Sequence, residues 1–109
     1  MPIWEIRAKT VLIRAGGPAL IPYGVTGVMP DPRMAVYNSS GTVIASNAGW
    51  GGNAQITVAA NAVYAFPYTD PASKDSAVLL TLPPGSYTAQ VTSTSAVAGI
   101  VLIEVYEVP

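Results

Sequence analysis

Ten glycines and ten prolines punctuate this chain of 109 residues, and the apolar runs left between them have the length of β-strands. That spacing predicts an all-β fold. Residues Trp4 to Arg14 fit one long strand or two short ones, with Val11 and Ile13 on one face and Leu12 on the other. The stretch "GGPALIPYGVTGVMPDP" holds four prolines and four glycines and reads as a long ordered loop. "RMAVYNSSGTVIASN" reads as a hairpin, Met34 to Asn38 and Thr42 to Asn47, with Gly41 supplying the positive φ of the turn.

Around Trp50 the chain is a glycine-rich loop, "NAGWGG". In the next stretch Asn53 is placed to cap a short helix near residues 53–64, whose Ile56, Ala59, Ala60 and Val63 share a face, although Thr57 and Val58 suit a strand equally well. "SAVLLTL" is nearly continuous in apolar residues, as in a strand covered on both faces. In "SYTAQVTS", Tyr87, Ala89 and Val91 alternate with polar residues. Pro84 and Gly85 between these two runs have the chemistry of a type II turn, and predict a hairpin. "GIVLIEVYEV" closes the chain with Val101, Ile103 and Val105 on one face and Ile100, Leu102, Glu104 and Tyr106 on the other. These last three strands are expected to build the strongest part of the core.

Length gives one domain, residues 1–109, able to bury about 65% of its unfolded surface. Charged residues are only 10% of the chain, and no Asp, Glu, Lys or Arg occurs between Arg33 and Asp70 or between Asp75 and Glu104. Two such neutral tracts predict surface that meets another protein, or surface solvated by Ser and Thr alone. A net charge of −1 lacks the basic footprint that nucleic acid demands. No apolar run is long enough for a membrane span, and "MPIWEIRAK" has no signal-peptide pattern.

Neither cysteine nor histidine is present. Their absence removes disulfides, the usual zinc sites and the His-based nucleophile arrangements, and predicts a chain that is not an enzyme and needs no cofactor. Glu104 and Glu107 fall on opposite faces of one strand and are no acid/base pair. Asp31, Asp70 and Asp75 with Asn47 are oxygen donors of the kind calcium takes, but Asp and Asn are also ordinary turn formers. The glycine pairs in "IRAGGP" and "WGGN" lack the spacing of a phosphate loop. Candidate ligand or partner contacts are the aromatic residues Trp50, Tyr23 and Tyr68, with Trp50 serving either as a platform or as a plug at one end of the core.

The order of "KTVLIRAGGPAL", "YGVTGVMPDPRMAVYNSSGTVIASN", a tryptophan loop, "SKDSAVLLTLPPGSYTAQVTS" and "GIVLIEVYEV" resembles a β-sandwich module of large secreted bacterial surface proteins. The C-terminal part is similar to bacterial pre-peptidase C-terminal type domains. The resemblance implies a noncatalytic appendage, secreted or at the cell surface, with roles in adhesion, targeting or spacing. This chain departs from it at Asn47-Ala48-Gly49-Trp50, where similar modules carry acidic residues, and in having only "MPIWEIRA" where they place a further apolar strand.

Together these readings predict a single antiparallel β-sandwich, Ig-like or jelly-roll-like, with residues 1–8 as an N-terminal strand or arm exchanged between subunits through Ile3, Trp4 and Ile6. The expected function is structural self-association into a homo-oligomer or filament. The alternative is a carbohydrate- or surface-binding module that uses its aromatics on a glycan.

Overall fold

A computed structural model of the chain describes residues 8–109; Ile3, Trp4 and Ile6 lie outside them. Within the described residues the chain is mostly strand, arranged as two antiparallel three-stranded sheets with one short helix. The strands are β1 (Lys9–Gly16), β2 (Pro32–Tyr37), β3 (Val43–Asn47), β4 (Ser76–Leu82), β5 (Thr88–Ser93) and β6 (Leu102–Val108). The first sheet has the order β4-β1-β6, and the second β3-β2-β5.

β1 is the centre of the first sheet, and the alternation read from its sequence holds. Leu12 faces the helix α1 (Ala54–Ala62) and the Trp50 loop, packing with Trp50, Ile56, Ala59, Ala60, Tyr68 and Ala77. Ile13 faces the second sheet and packs with Val78, Met34 and Val36. The register explains the pairing of layers, because Leu12 lies opposite Leu79 and Ile13 opposite Val78 on β4. β4 is thus covered on both faces, as its unbroken apolar run predicts. Ser76 ties the two sheets by donating its hydroxyl to the carbonyls of Pro32 and Asn47.

α1 forms where Asn53 allows it to. The Asn53 side chain accepts from the Gln55 and Ile56 amides at 2.9 and 3.3 Å, satisfying donors that a helix start leaves open. The hairpin of β2 and β3 is also as read, with Gly41 at φ 78°. In the long loop, Pro18 opens a 3-10 helix, Pro18–Tyr23, that ends on Gly24 at φ 84°.

Two readings of the C-terminal half are corrected. Pro84 and Gly85 do not make a hairpin, because β4 belongs to the first sheet and β5 to the second. The segment crosses between layers, Gly85 is nearly extended at φ 159°, and the Tyr87 hydroxyl braces it on the Pro83 carbonyl at 2.7 Å. The strongest core is likewise not built by the last three strands: the fully buried residues sit on β1, β2 and the start of β4. β6 buries only the face that carries Glu104, Tyr106 and Val108.

Two glycines permit one close crossing. The strip Gly27–Met29 passes from the long loop to the residues before β6, where Met29 donates to the Ile100 carbonyl and Ile100 to the Gly27 carbonyl, both at 2.8 Å. A Cβ on Gly17 would lie 2.0 Å from the Met29 carbonyl oxygen, and one on Gly99 would lie 2.4 Å from the Met29 amide nitrogen. Gly17→Ala is therefore expected to lower stability by about 1–3 kcal/mol, from overpacking against backbone that cannot yield, read as a lower urea midpoint.

Candidate functional site

Arg14 follows Leu12 on the helix-facing side of β1, so its charge is carried into the core, and the guanidinium is fully buried. Three features compensate it. Glu104, directly opposite on β6, accepts from Nε at 3.1 Å and from Nη2 at 2.7 Å. The Phe66 carbonyl accepts from Nη1 at 2.7 Å. The rings of Phe66 and Tyr68 lie 4.5 and 4.3 Å from the guanidinium carbon, close enough for cation–π attraction. Tyr106 donates its hydroxyl to the second oxygen of Glu104. Removing one member of such a pair leaves a buried charge, at a cost of about 3–5 kcal/mol in comparable cases.

The three candidate aromatics belong to one series of rings. Tyr23 meets Phe66 edge-on at 5.4 Å, Phe66 meets Tyr68 at 5.8 Å, and Tyr68 meets Trp50 at 5.7 Å. Their exposure differs sharply. Trp50 and Tyr68 are 7% and 8% exposed, so neither ring offers a face to a ligand, whereas Tyr23 is 63% exposed. Of the two roles read for Trp50, platform or plug, its burial is that of the plug, and its indole nitrogen donates to the Asp70 carbonyl and the Ser73 hydroxyl. The flanking glycines signal an exposed tip, but the residue is drawn inward by the pocket between α1 and β1, which sequence spacing does not reveal.

The oxygen donors considered for calcium are dispersed among local structural tasks. Asp75 is buried, accepts the Gly17 and Ala19 amides at 2.8 and 3.0 Å on one oxygen, and takes the Ser73 hydroxyl at 2.6 Å on the other. It thereby anchors the start of the 3-10 helix. Asp70 accepts the Ala72 amide, and Asn47 accepts the Ala77 amide. Asp31 takes the Ser93 hydroxyl, and its carboxyl is held below the usual range, chiefly by its hydrogen bond to the Ser95 side chain. Among the described residues no group of three or more His, Cys, Asp or Glu is placed to hold a metal.

Two surfaces stand out. One is a cleft of about 400 Å³ between the 3-10 helix and the residues before β4, lined by Pro18, Tyr23, Pro67, Thr69, Asp70 and Ser73 among others. The other is the face of β6 that looks toward the second sheet. Ile103 and Val105 stand opposite Ala15 and Ile13 on β1, on the same side as Ile13, yet they are 45% and 64% exposed. The second sheet stacks over β4 and β1 and leaves them uncovered. Ile100, Leu102 and Val97 in the same C-terminal stretch are exposed as well. The sequence signalled apolar alternation here but not which strand would lie beyond its partner sheet.

No protein-family model matches the chain, and neither a curated protein nor a solved structure was found to resemble it.

Two tyrosines give the fold a pH signature. Burial raises the Tyr68 hydroxyl above its ordinary value, and the bond to Glu104 raises that of Tyr106. The folded state then favours the protonated phenols, so their contribution is complete below about pH 10, the unfolded tyrosine value, and declines as pH rises beyond it. Among the described residues Tyr68 Oη has no hydrogen-bond partner. Tyr68→Phe should therefore keep or slightly raise the melting temperature at neutral pH and flatten its fall in alkali, followed by circular dichroism.

Proposed function

We propose that this protein is a noncatalytic, secreted structural module with a β-sandwich fold, Ig-like or jelly-roll-like, that assembles with copies of itself. The observation that carries this reading is the apolar face of β6, where Ile103 and Val105 occupy core-type positions without a cover. Two further features support it. The outer strand β5 has no charged residue and no proline, the devices that ordinarily keep a strand edge from pairing. The ionisable side chains of the interior are engaged in structural contacts, and no histidine or cysteine exists for acid/base or nucleophilic work. Placement outside the cell, and a role in adhesion or spacing on a bacterial surface, rest on the motif order described above. Among the described residues no helix is long and apolar enough to cross a membrane. Light scattering on the full chain should give a mass above the monomer that rises with concentration, and a strict monomer at millimolar concentration refutes the reading.

A second reading, a glycan-binding module, is favoured by one observation. Tyr23 is exposed at the rim of the 400 Å³ cleft, beside the hydroxyls and carboxylate of Thr69, Ser73 and Asp70. An exposed ring next to polar groups is the arrangement that stacks on a sugar face. Tyr23→Ala would then abolish binding on a glycan panel with little change in melting temperature, whereas unchanged binding removes Tyr23 from the contact.

A further inference from the structure

The cleft beside the 3-10 helix is built as a rigid slot. Asp75 is 1% exposed and joins its two walls: one carboxylate oxygen accepts the Gly17 and Ala19 amides at the start of the 3-10 helix, and the other accepts the Ser73 hydroxyl. The wall that carries Asp70 and Ser73 is pinned a second time. The Trp50 indole nitrogen donates to the Asp70 carbonyl, and that carbonyl also accepts the Ser73 amide at 3.1 Å. Pro18, Pro22 and Pro67 stiffen the lining further. A slot fixed before its ligand arrives loses little freedom on binding. Its volume of about 400 Å³ lies toward the small end of the ~300–1,000 Å³ found for small-molecule sites, which suits one or two sugar rings.

Charge then selects among sugars. Among the described residues, those lining the cleft include two carboxylates, Asp70 and Asp75, and no lysine or arginine. Lys74 lies between Ser73 and Asp75 in the chain but is exposed and outside the lining. The three donors to Asp75 are all neutral, so its negative charge is solvated without being cancelled. Asp70 is exposed and accepts the Ala72 amide at 2.9 Å on one oxygen, and its second oxygen has no donor among the described residues. We propose that the cleft takes a sugar bearing a free, protonated amine, an amino-hexose of the glucosamine class; the proposal rests on the glycan reading above and names its ligand. The Tyr23 ring, 63% exposed, stacks on the apolar face of the sugar, and the ammonium donates to the open oxygen of Asp70 in a charge-assisted hydrogen bond. The same two carboxylates repel uronic and sulfated sugars. A lysine side chain carries the charge without the ring hydroxyls that Thr69 can meet, which favours the sugar.

Calorimetric titration of the full chain at mildly acidic pH tests the assignment, with the glucosamine disaccharide, its N-acetylated form and a uronic acid disaccharide as probes. The amine form is expected to bind about tenfold more tightly than the N-acetylated form, as one charge-assisted hydrogen bond provides, and the uronic acid not to bind. Asp70→Asn keeps an oxygen for the Ala72 amide and is expected to bring the first two disaccharides to equal affinity with the melting temperature unchanged. Should that variant melt early by circular dichroism, the ratio of the two affinities in the wild type decides. Equal affinities in the wild type, or a preference that survives in a folded Asp70→Asn, overturn the amine assignment while the glycan reading stands. Lysine amide that binds as tightly as the amino sugar shows that charge alone is read, and overturns the sugar as ligand. If none of the disaccharides binds the wild type, the glycan reading falls and this inference with it.

Discussion

Everything else in the structure is arranged around β1, a strand with both edges paired and both faces covered. Its consecutive residues Leu12 and Ile13 enter different cores, one shared with α1 and Trp50 and the other with the second sheet. A small domain has limited apolar surface to bury, and a central strand that serves two cores uses it twice. The cost appears one residue later. Arg14 continues the alternation of Leu12 and therefore points into the interior, where its charge is tolerable only because Glu104, the Phe66 carbonyl and two aromatic rings surround it.

That compensation shapes the surroundings of the candidate site. Phe66 and Tyr68 are drawn to the guanidinium, Trp50 packs on Tyr68, and the ring series ends at the surface in Tyr23. Asp75 performs a parallel task beside it, gathering the amides of Gly17 and Ala19 and so fixing the 3-10 helix that carries Tyr23. Arg14, through the Phe66 carbonyl, and Asp75 thus each hold a loop to the sheet. Both the cleft beside the 3-10 helix and the bare face of β6 are open to solvent.

The bare face follows from the same architecture. β6 contributes Glu104 and Tyr106 to the inner layer, which fixes its register against β1 and forces Ile103 and Val105 onto the side toward the second sheet. That sheet has only three strands among the described residues and is centred over β4 and β1. Residues with the alternation of a core strand consequently stand in solvent.

Local chemistry was legible in the sequence: the strand faces of β1 and β5, the Gly41 hairpin, the Asn53 cap that turned an ambiguous run into α1, and the absence of histidine and cysteine. These depend on side-chain period, turn stereochemistry and composition, which are properties of neighbouring residues. Only the tertiary structure decided which strands share a sheet, that Pro84 and Gly85 bridge two layers instead of turning a hairpin, that Trp50 is buried while Tyr23 is not, and that Ile103 and Val105 lie uncovered. The physical reason is that alternation specifies that a strand has an apolar face, whereas the surface meeting that face is set by contacts between residues far apart in the chain, such as Arg14 with Glu104.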